Sequence, residues 1–223
     1  MNFPLFDRIM PRVCEGCGRR LSGGERSVCA ACLGELSQGV PEAAGLRERL
    51  PRGVPVDRCL SWTPYRRGAS ASRLIKRGKY GGRPDIIEEL ADIYGRRLAA
   101  AGALEGVDAL QPVPMHWLKR LGRGYNQAAL IARQLSRATG IPTADALRAV
   151  RGHGSQTRRT AGERALNVAG MFAVRHPESV AGRHIALVDD IITTGATLSE
   201  AALALAEAGA ARISVVTLAA AVR

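Results

Sequence analysis

A chain of 223 residues, 46% apolar and 23% charged, has room for one large domain plus a small module and enough apolar side chains to build a core. It has no run of about 18 apolar residues, and residues 1–13 lack a basic stretch followed by an apolar one. A membrane span and a secretory signal are therefore not expected, and a cytoplasmic protein is. The formal charge of +12 is lopsided: residues 57–165 carry 20 Lys and Arg against 9 acids, residues 1–56 carry 8 against 6, and residues 166–223 carry 4 against 5. Such a concentration suits an anionic partner, either a polyphosphate or a nucleic acid; a solvated, arginine-rich surface is the plainer alternative.

The first pattern in chain order is "CEGCGRRLSGGERSVCAAC". Cys14, Cys17, Cys29 and Cys32 form two C-x2-C pairs separated by eleven residues. Two residues between cysteines let a tight turn aim both thiolates at one ion, and Gly16 and Gly18 ease that turn. Four thiolates at about 2.3 Å would close a tetrahedral structural zinc site with no open position for catalysis. A pair of disulfides and an iron–sulfur cluster are the alternatives, the first disfavoured in a reducing compartment. A module this short cannot build its own core, so a bound metal would fold it. Cys59 stands outside the pattern and reads as an ordinary buried cysteine. The expected organisation is a zinc-binding module at 1–36, a linker rich in proline and glycine at 37–56, and one domain at 57–223.

From residue 57 onward strand and helix signals alternate. "RCLSW" reads as a strand. "YRRGASASRLIKRGKYGGR" packs Arg66, Arg67, Arg73, Lys76, Arg77, Lys79 and Arg83 into a short span with Tyr65 and Tyr80, and suits either single-stranded nucleic acid or a lid over an anionic site. In "PDIIEELADIYGRRLAAAG", Ile86, Ile87, Leu90, Ile93, Tyr94 and Leu98 share one helical face, with Pro84 near the start and Gly102 as the stop. "VDALQPVP" is a short strand stopped by prolines. "NQAALIARQLSRATG" is a helix that Asn126 can cap and Gly140 ends. "RGHGSQTRRTAGER" is a second basic stretch. "GRHIALVDD" is a buried strand, "TGATLSEAALALAEAGA" a helix and "RISVVTLAAAV" a final strand. Strands alternating with helices of this length predict an α/β fold with a mostly parallel sheet covered on both faces.

The densest chemistry lies in "IALVDDIITTGATLSEA". At the carboxyl end of a parallel strand, side chains face the crevice where α/β folds bind ligands. Asp189 and Asp190 can accept hydrogen bonds there from the vicinal hydroxyls of a ribose. Thr193, Thr194, Gly195, Ala196 and Thr197 lead into a helix whose positive end can hold a phosphate. A ribose 5-phosphate has both features. Three alternatives compete: a Walker B strand, which lacks its G-x-x-x-x-G-K-[ST] partner because Lys79 is followed by Tyr80; a magnesium site of a phosphatase, which leaves the threonine run without a role; and a bland strand end with a threonine cap. The four histidines are scattered without ligand spacing, and no G-x-S-x-G string points to a hydrolase.

"VDDIITTGAT" resembles the ribose-phosphate signature of the type I phosphoribosyltransferases. With the paired cysteines, "KYGG", "PVPMH", "KRLGRGYNQ" and "ERALNVAGMF" in this order, the chain from Cys14 onward resembles the ComF family, a zinc module fused to a phosphoribosyltransferase-like domain. Gly122 interrupts a stretch that is usually more basic. The resemblance implies binding of phosphoribosyl pyrophosphate with magnesium and pentosyl transfer with release of pyrophosphate. By position, Asp189 and Asp190 would hold the ribose hydroxyls and the stretch 193–197 the 5-phosphate. Val113, Pro114 and Met115 would form the pyrophosphate loop, and Lys119, Arg120 and Arg123 would neutralise the departing pyrophosphate. Carboxylates near an anomeric carbon stabilise its developing positive charge, while cations stabilise the leaving group. Competence members of the family act in uptake and recombination of transforming DNA. The alternative function is therefore a DNA-binding accessory of natural transformation, with the sugar-phosphate site used for sensing or vestigial, and with single-stranded DNA and DNA-uptake or recombination proteins as partners.

Overall fold

A computed structural model describes residues 11–36, 45–115, 121–122, 124–150 and 170–222. The expected pyrophosphate cations Lys119, Arg120 and Arg123, the basic stretch at 151–164 and most of "ERALNVAGMF" lie outside the described residues.

The elements in chain order are a short helix α1 (Ala30–Gly34), strand β1 (Arg58–Tyr65), helices α2 (Ser70–Tyr80) and α3 (Pro84–Ala100), strand β2 (Ala109–Pro112), helix α4 (Gln127–Thr139), strands β3 (Leu147–Ala149) and β4 (Phe172–Val174), strand β5 (His184–Ile192), helix α5 (Ala196–Glu207) and strand β6 (Arg212–Ala221). The main sheet has the order β1-β6-β5-β2, and all three pairings are parallel. The short β3 and β4 pair antiparallel.

Parallel strands buried on both faces need apolar side chains on both, and β5 supplies them. Ala186 and Val188 join Leu60, Trp62, Leu110, Val216 and Leu218 under α2, α3 and α4. Ile185 and Leu187 join Cys59, Ala109, Ile213 and Val215 under α5, whose Leu198, Ala201, Ala202 and Leu205 are buried there. Tyr94 of α3 stacks on Trp62 with ring centroids 5.6 Å apart, so Trp62 is a packing residue.

Two segments differ from the sequence reading. Residues 45–56, expected as linker, lie against the α5 face: Leu46, Leu50, Val54 and Val56 are buried, and Arg47 donates to the carbonyls of Val54 and Val56 at 2.7 Å each. Residues 70–80, read only as a basic stretch, are a helix whose Ala71, Leu74, Ile75 and Gly78 are buried. A methyl group on Gly78 would come within 2.5 Å of Ile87, so this glycine lets α2 approach α3 closely.

Candidate functional site

The four thiols of Cys14, Cys17, Cys29 and Cys32 lie within 4.8 Å of one another. The Sγ atoms of Cys17 and Cys29 are 3.7 Å apart. A tetrahedron with metal–sulfur bonds of about 2.3 Å has edges of about 3.8 Å, so the donor set fits one tetrahedral ion. Amides point at the sulfurs as thiolate ligands require: Gly16 and Cys29 donate to Cys14 Sγ, and Cys32 donates to Cys29 Sγ, at 3.3–3.4 Å. Burial works against a thiolate at Cys29, but the Cys32 amide and the neighbouring thiols outweigh it and bring this group down to about 7. Gly16 is required here, since a Cβ would sit 2.9 Å from Cys32 Sγ.

This cluster is fastened to the helices beside the sheet. Glu15 pairs with Arg77 at 2.8 Å and with Arg83. Ser27 donates its amide to Glu89 and its hydroxyl to Asp85, both at 2.9 Å. Arg73 reaches the Gly16 carbonyl. Cys14, Cys29 and Cys32 share one apolar core with Leu74, Ile75, Ile86 and Leu90.

The second cluster gathers at the carboxyl ends of the parallel strands. Strand β5 runs through Asp189 and Asp190 to Ile192, so the two carboxylates alternate across the strand instead of sharing one crevice wall. Asp190 is buried and is held by Lys79 from the end of α2: Nζ lies 2.8 Å from Oδ2 and donates to Oδ1 at 3.1 Å. Asp189 is half-buried and accepts from the Asp190 amide at 2.8 Å. Burial, and then the charge of Asp190, push the Asp189 carboxyl up to about 7; Lys79 pulls the other way. Thr217, its register partner on β6, and Ser61, the partner of Thr217 on β1, continue a polar row across the buried strands. Among the described residues neither hydroxyl has a hydrogen-bond partner.

After β5 the chain exposes Thr193 and Thr194, buries Gly195 in a left-handed turn with φ of 79°, and starts α5 at Ala196. No side chain caps this helix and its first turn holds no acid. The first amides of a helix have no intrahelical partner, so Ala196, Thr197 and Leu198 present N–H groups at its positive end; Thr194 Oγ1 takes the first only weakly, at 3.4 Å. Gly195 is fixed by its neighbours as well, because a Cβ would meet Leu50 at 2.8 Å and the Arg49 carbonyl at 3.2 Å. Arg49 Nη1 reaches the Ile192 carbonyl at 3.5 Å.

Val113, Pro114 and Met115 follow β2, the neighbour of β5, and so open onto the same strand ends. Asn126 caps α4 through the Ala128 amide at 3.1 Å and also donates to the Val113 carbonyl at 3.1 Å. The neighbouring Tyr125 donates to the Gly78 carbonyl of α2.

The basic stretch divides. Arg66, Arg67 and Lys76 are exposed, with no ion pair among the described residues. Arg73 and Arg77 are committed to the cysteine cluster, and Lys79 belongs to the aspartate pair. The density of cations, which suits either a nucleic-acid surface or a lid over an anionic site, does not by itself single out Lys79 as the partner of Asp190. The signal that could have found it is the helical spacing of Ala71, Leu74, Ile75 and Gly78, which turns Lys79 inward. The role of Arg49 beside the threonine turn has no such signal.

The phosphoribosyl transferase domain family matches residues 121–222. The DNA utilization protein YhgH of Salmonella typhimurium is 28% identical over 220 residues, spanning 92% of this chain and 96% of that protein. Competence protein F of Haemophilus influenzae is 37% identical over 110 residues, 48% of each chain. Competence protein ComFC of Bacillus subtilis is 38% identical over 110 residues, 49% of this chain and 43% of that one. Among solved structures, the glutamine phosphoribosylpyrophosphate amidotransferase of Bacillus subtilis superimposes with a TM-score of 0.45 at 24% identity, over 64% of this chain and 30% of that chain. Among the described residues, no helix is long and apolar enough to cross a membrane. A domain match that takes in the "VDDIITTGAT" strand and turn, relatives named for competence and DNA utilization, and a four-cysteine cluster ahead of a parallel sheet make the chain similar to the phosphoribosyltransferase-like proteins of the ComF family.

Proposed function

We propose that the chain binds phosphoribosyl pyrophosphate at the carboxyl ends of β5 and β2, in the cytoplasm, and that it is built for pentosyl transfer with release of pyrophosphate. The observation that carries this reading is the continuity of Asp189 and Asp190 with an uncapped helix start at Ala196. Carboxylates accept from ribose hydroxyls, and free amides at a positive helix end donate to a phosphate. The exposed Thr193 and Thr194 and the half-buried Thr197 add hydroxyl donors around that phosphate. On this reading Val113, Pro114 and Met115, which follow β2, form the loop for the departing pyrophosphate, and the Asn126 bond to the Val113 carbonyl supports a fixed loop there. Magnesium, when bound with the pyrophosphate, would screen its oxygens; the protein carboxylates do not need to ligate it. Zinc is the ion that fits the four thiolates best, in a closed structural role.

The test is calorimetric titration of phosphoribosyl pyrophosphate with magnesium. Wild type should bind saturably. Asp189→Asn with Asp190→Asn should lose binding by a factor of about a hundred or more, since two hydroxyl acceptors go at once. Saturable binding that persists in the double variant would overturn the reading.

A second reading has its own support. Relatives carry the names DNA utilization protein and competence protein, and Arg66, Arg67 and Lys76 form an exposed cationic patch on and before α2. On this reading the chain also takes single-stranded DNA through its phosphates, as an accessory to DNA uptake or recombination.

A further inference from the structure

Asp190 sits among few charged groups. Lys79 is its cation. Asp189 lies next to it on β5, Tyr65 faces the pair from β1, and Tyr80 follows Lys79 at the end of α2. The first turn of α5 adds no acid, and Arg49 of the 45–56 segment is turned to the Ile192 carbonyl. The Lys79 side chain is 22% exposed and that of Asp190 is 7%, so this is not a solvated surface pair.

An ammonium carries three N–H donors. One donates to Asp190 Oδ1, Nζ also lies 2.8 Å from Oδ2, and among the described residues no other residue accepts from this ammonium. The root of Lys79 is fixed: Gly78 packs on Ile87 and its carbonyl accepts the Tyr125 hydroxyl. The next residue, Asn126, holds the Val113 carbonyl at the start of the loop after β2. The end of α2 and the loop after β2 are thus tied through two consecutive residues. This puts Lys79 beside that loop, across β5 from the α5 face.

We propose that Lys79 is a positioning residue of the sugar-phosphate site: its ion pair orients Asp190 for a ribose hydroxyl, and it offers a remaining N–H donor to the pyrophosphate of the same molecule. This rests on the sugar-phosphate reading above and assigns Lys79 to that site and not to a nucleic-acid surface. It also supplies a cation from the helix side of the sheet, apart from those on residues 119–123. With Lys79 removed, two carboxylates on neighbouring residues would lack a compensating charge, and one would keep a proton to a higher pH.

The test compares wild type, Lys79→Met and Lys79→Arg by calorimetry with two probes, phosphoribosyl pyrophosphate with magnesium and ribose 5-phosphate. Lys79→Met should weaken phosphoribosyl pyrophosphate about tenfold to a hundredfold, the worth of one charge-assisted hydrogen bond, and weaken ribose 5-phosphate less. Lys79→Arg should recover part of the loss, which separates the charge from a folding defect. Unchanged affinity for phosphoribosyl pyrophosphate in Lys79→Met, or equal losses for both probes, would overturn the proposal. A probe-free arm follows the Asp189 carboxyl carbon by NMR titration. Its midpoint should rise in Lys79→Met and stay near the wild-type value in Lys79→Arg. Should wild type bind neither probe, the sugar-phosphate reading falls by itself, and an unmoved Asp189 midpoint would then overturn the pairing role of Lys79 as well.

Discussion

Asp189 carries a cost to folding. Its carboxyl sits on a strand packed on both sides, beside the negative Asp190, and burial first and that charge second raise it to about 7. A carboxyl raised on folding binds its proton more tightly in the native chain than in the unfolded one, so its contribution to stability is present at low pH and lost as pH rises from about 4 to about 7. Asp189→Asn should therefore raise the stability of the ligand-free protein above pH 7, by on the order of 2 kcal/mol, and flatten its pH dependence between 4 and 7. Chemical denaturation at pH 5 and pH 8 measures both; a variant less stable than wild type at pH 8 would show that Asp189 holds the fold. Sugar-phosphate binding should strengthen through the same pH window, because the ionised carboxylate is the better acceptor. The pair of acids was legible in the string "VDD". Their opposite orientation was not, because it depends on β5 continuing two residues beyond Asp190 in register with β6.

Among the elements, α3, α4, α5 and the four strands of the main sheet could be read from the sequence, because each is an apolar run or face with clear bounds, such as Pro84, Gly140 and the turn at Gly195; the short β3 and β4 carry no such signal. Helix α2 escaped the same reading. Its buried face is made of alanine, serine and glycine beside one leucine and one isoleucine, and its other face is arginine and lysine, so charge masked the period. Yet α2 joins the two sites. Its Arg73 and Arg77 hold the cysteine cluster and its Lys79 holds Asp190. Removing the metal should then be felt beyond the thiolates. Cys29→Ser should lose zinc by native mass spectrometry, lower the melting temperature by on the order of 10 °C, and weaken phosphoribosyl pyrophosphate binding, although no cysteine touches the sugar site. Unchanged zinc content would sink the zinc assignment, and zinc loss with full affinity would show that α3 alone holds α2 in place.

For the molecule as a whole, the excess of cations in residues 57–165 divides among different tasks. Some are internal struts, Lys79 serves the aspartates, and Arg66, Arg67 and Lys76 remain in solvent. Among the described residues this last group is exposed on and before α2, where it can meet a polyanion. If single-stranded DNA is a partner, its affinity should fall steeply between 50 and 200 mM salt, by about tenfold or more for a few phosphate contacts, and the joint replacement of Arg66, Arg67 and Lys76 by alanine should reduce that slope. Affinity that stayed flat across salt would remove DNA from the account. The amino-acid order specified the strands of the main sheet, most helices, the four thiolates and the sugar-phosphate string, because each depends on neighbours two, three or four positions apart or on a contiguous motif. The alternation of the two aspartates, the packing of residues 45–56 under α5 and the partnership of Lys79 with a carboxylate 111 residues away arise when separate elements close over the two faces of one sheet, and no local spacing encodes which of them will meet.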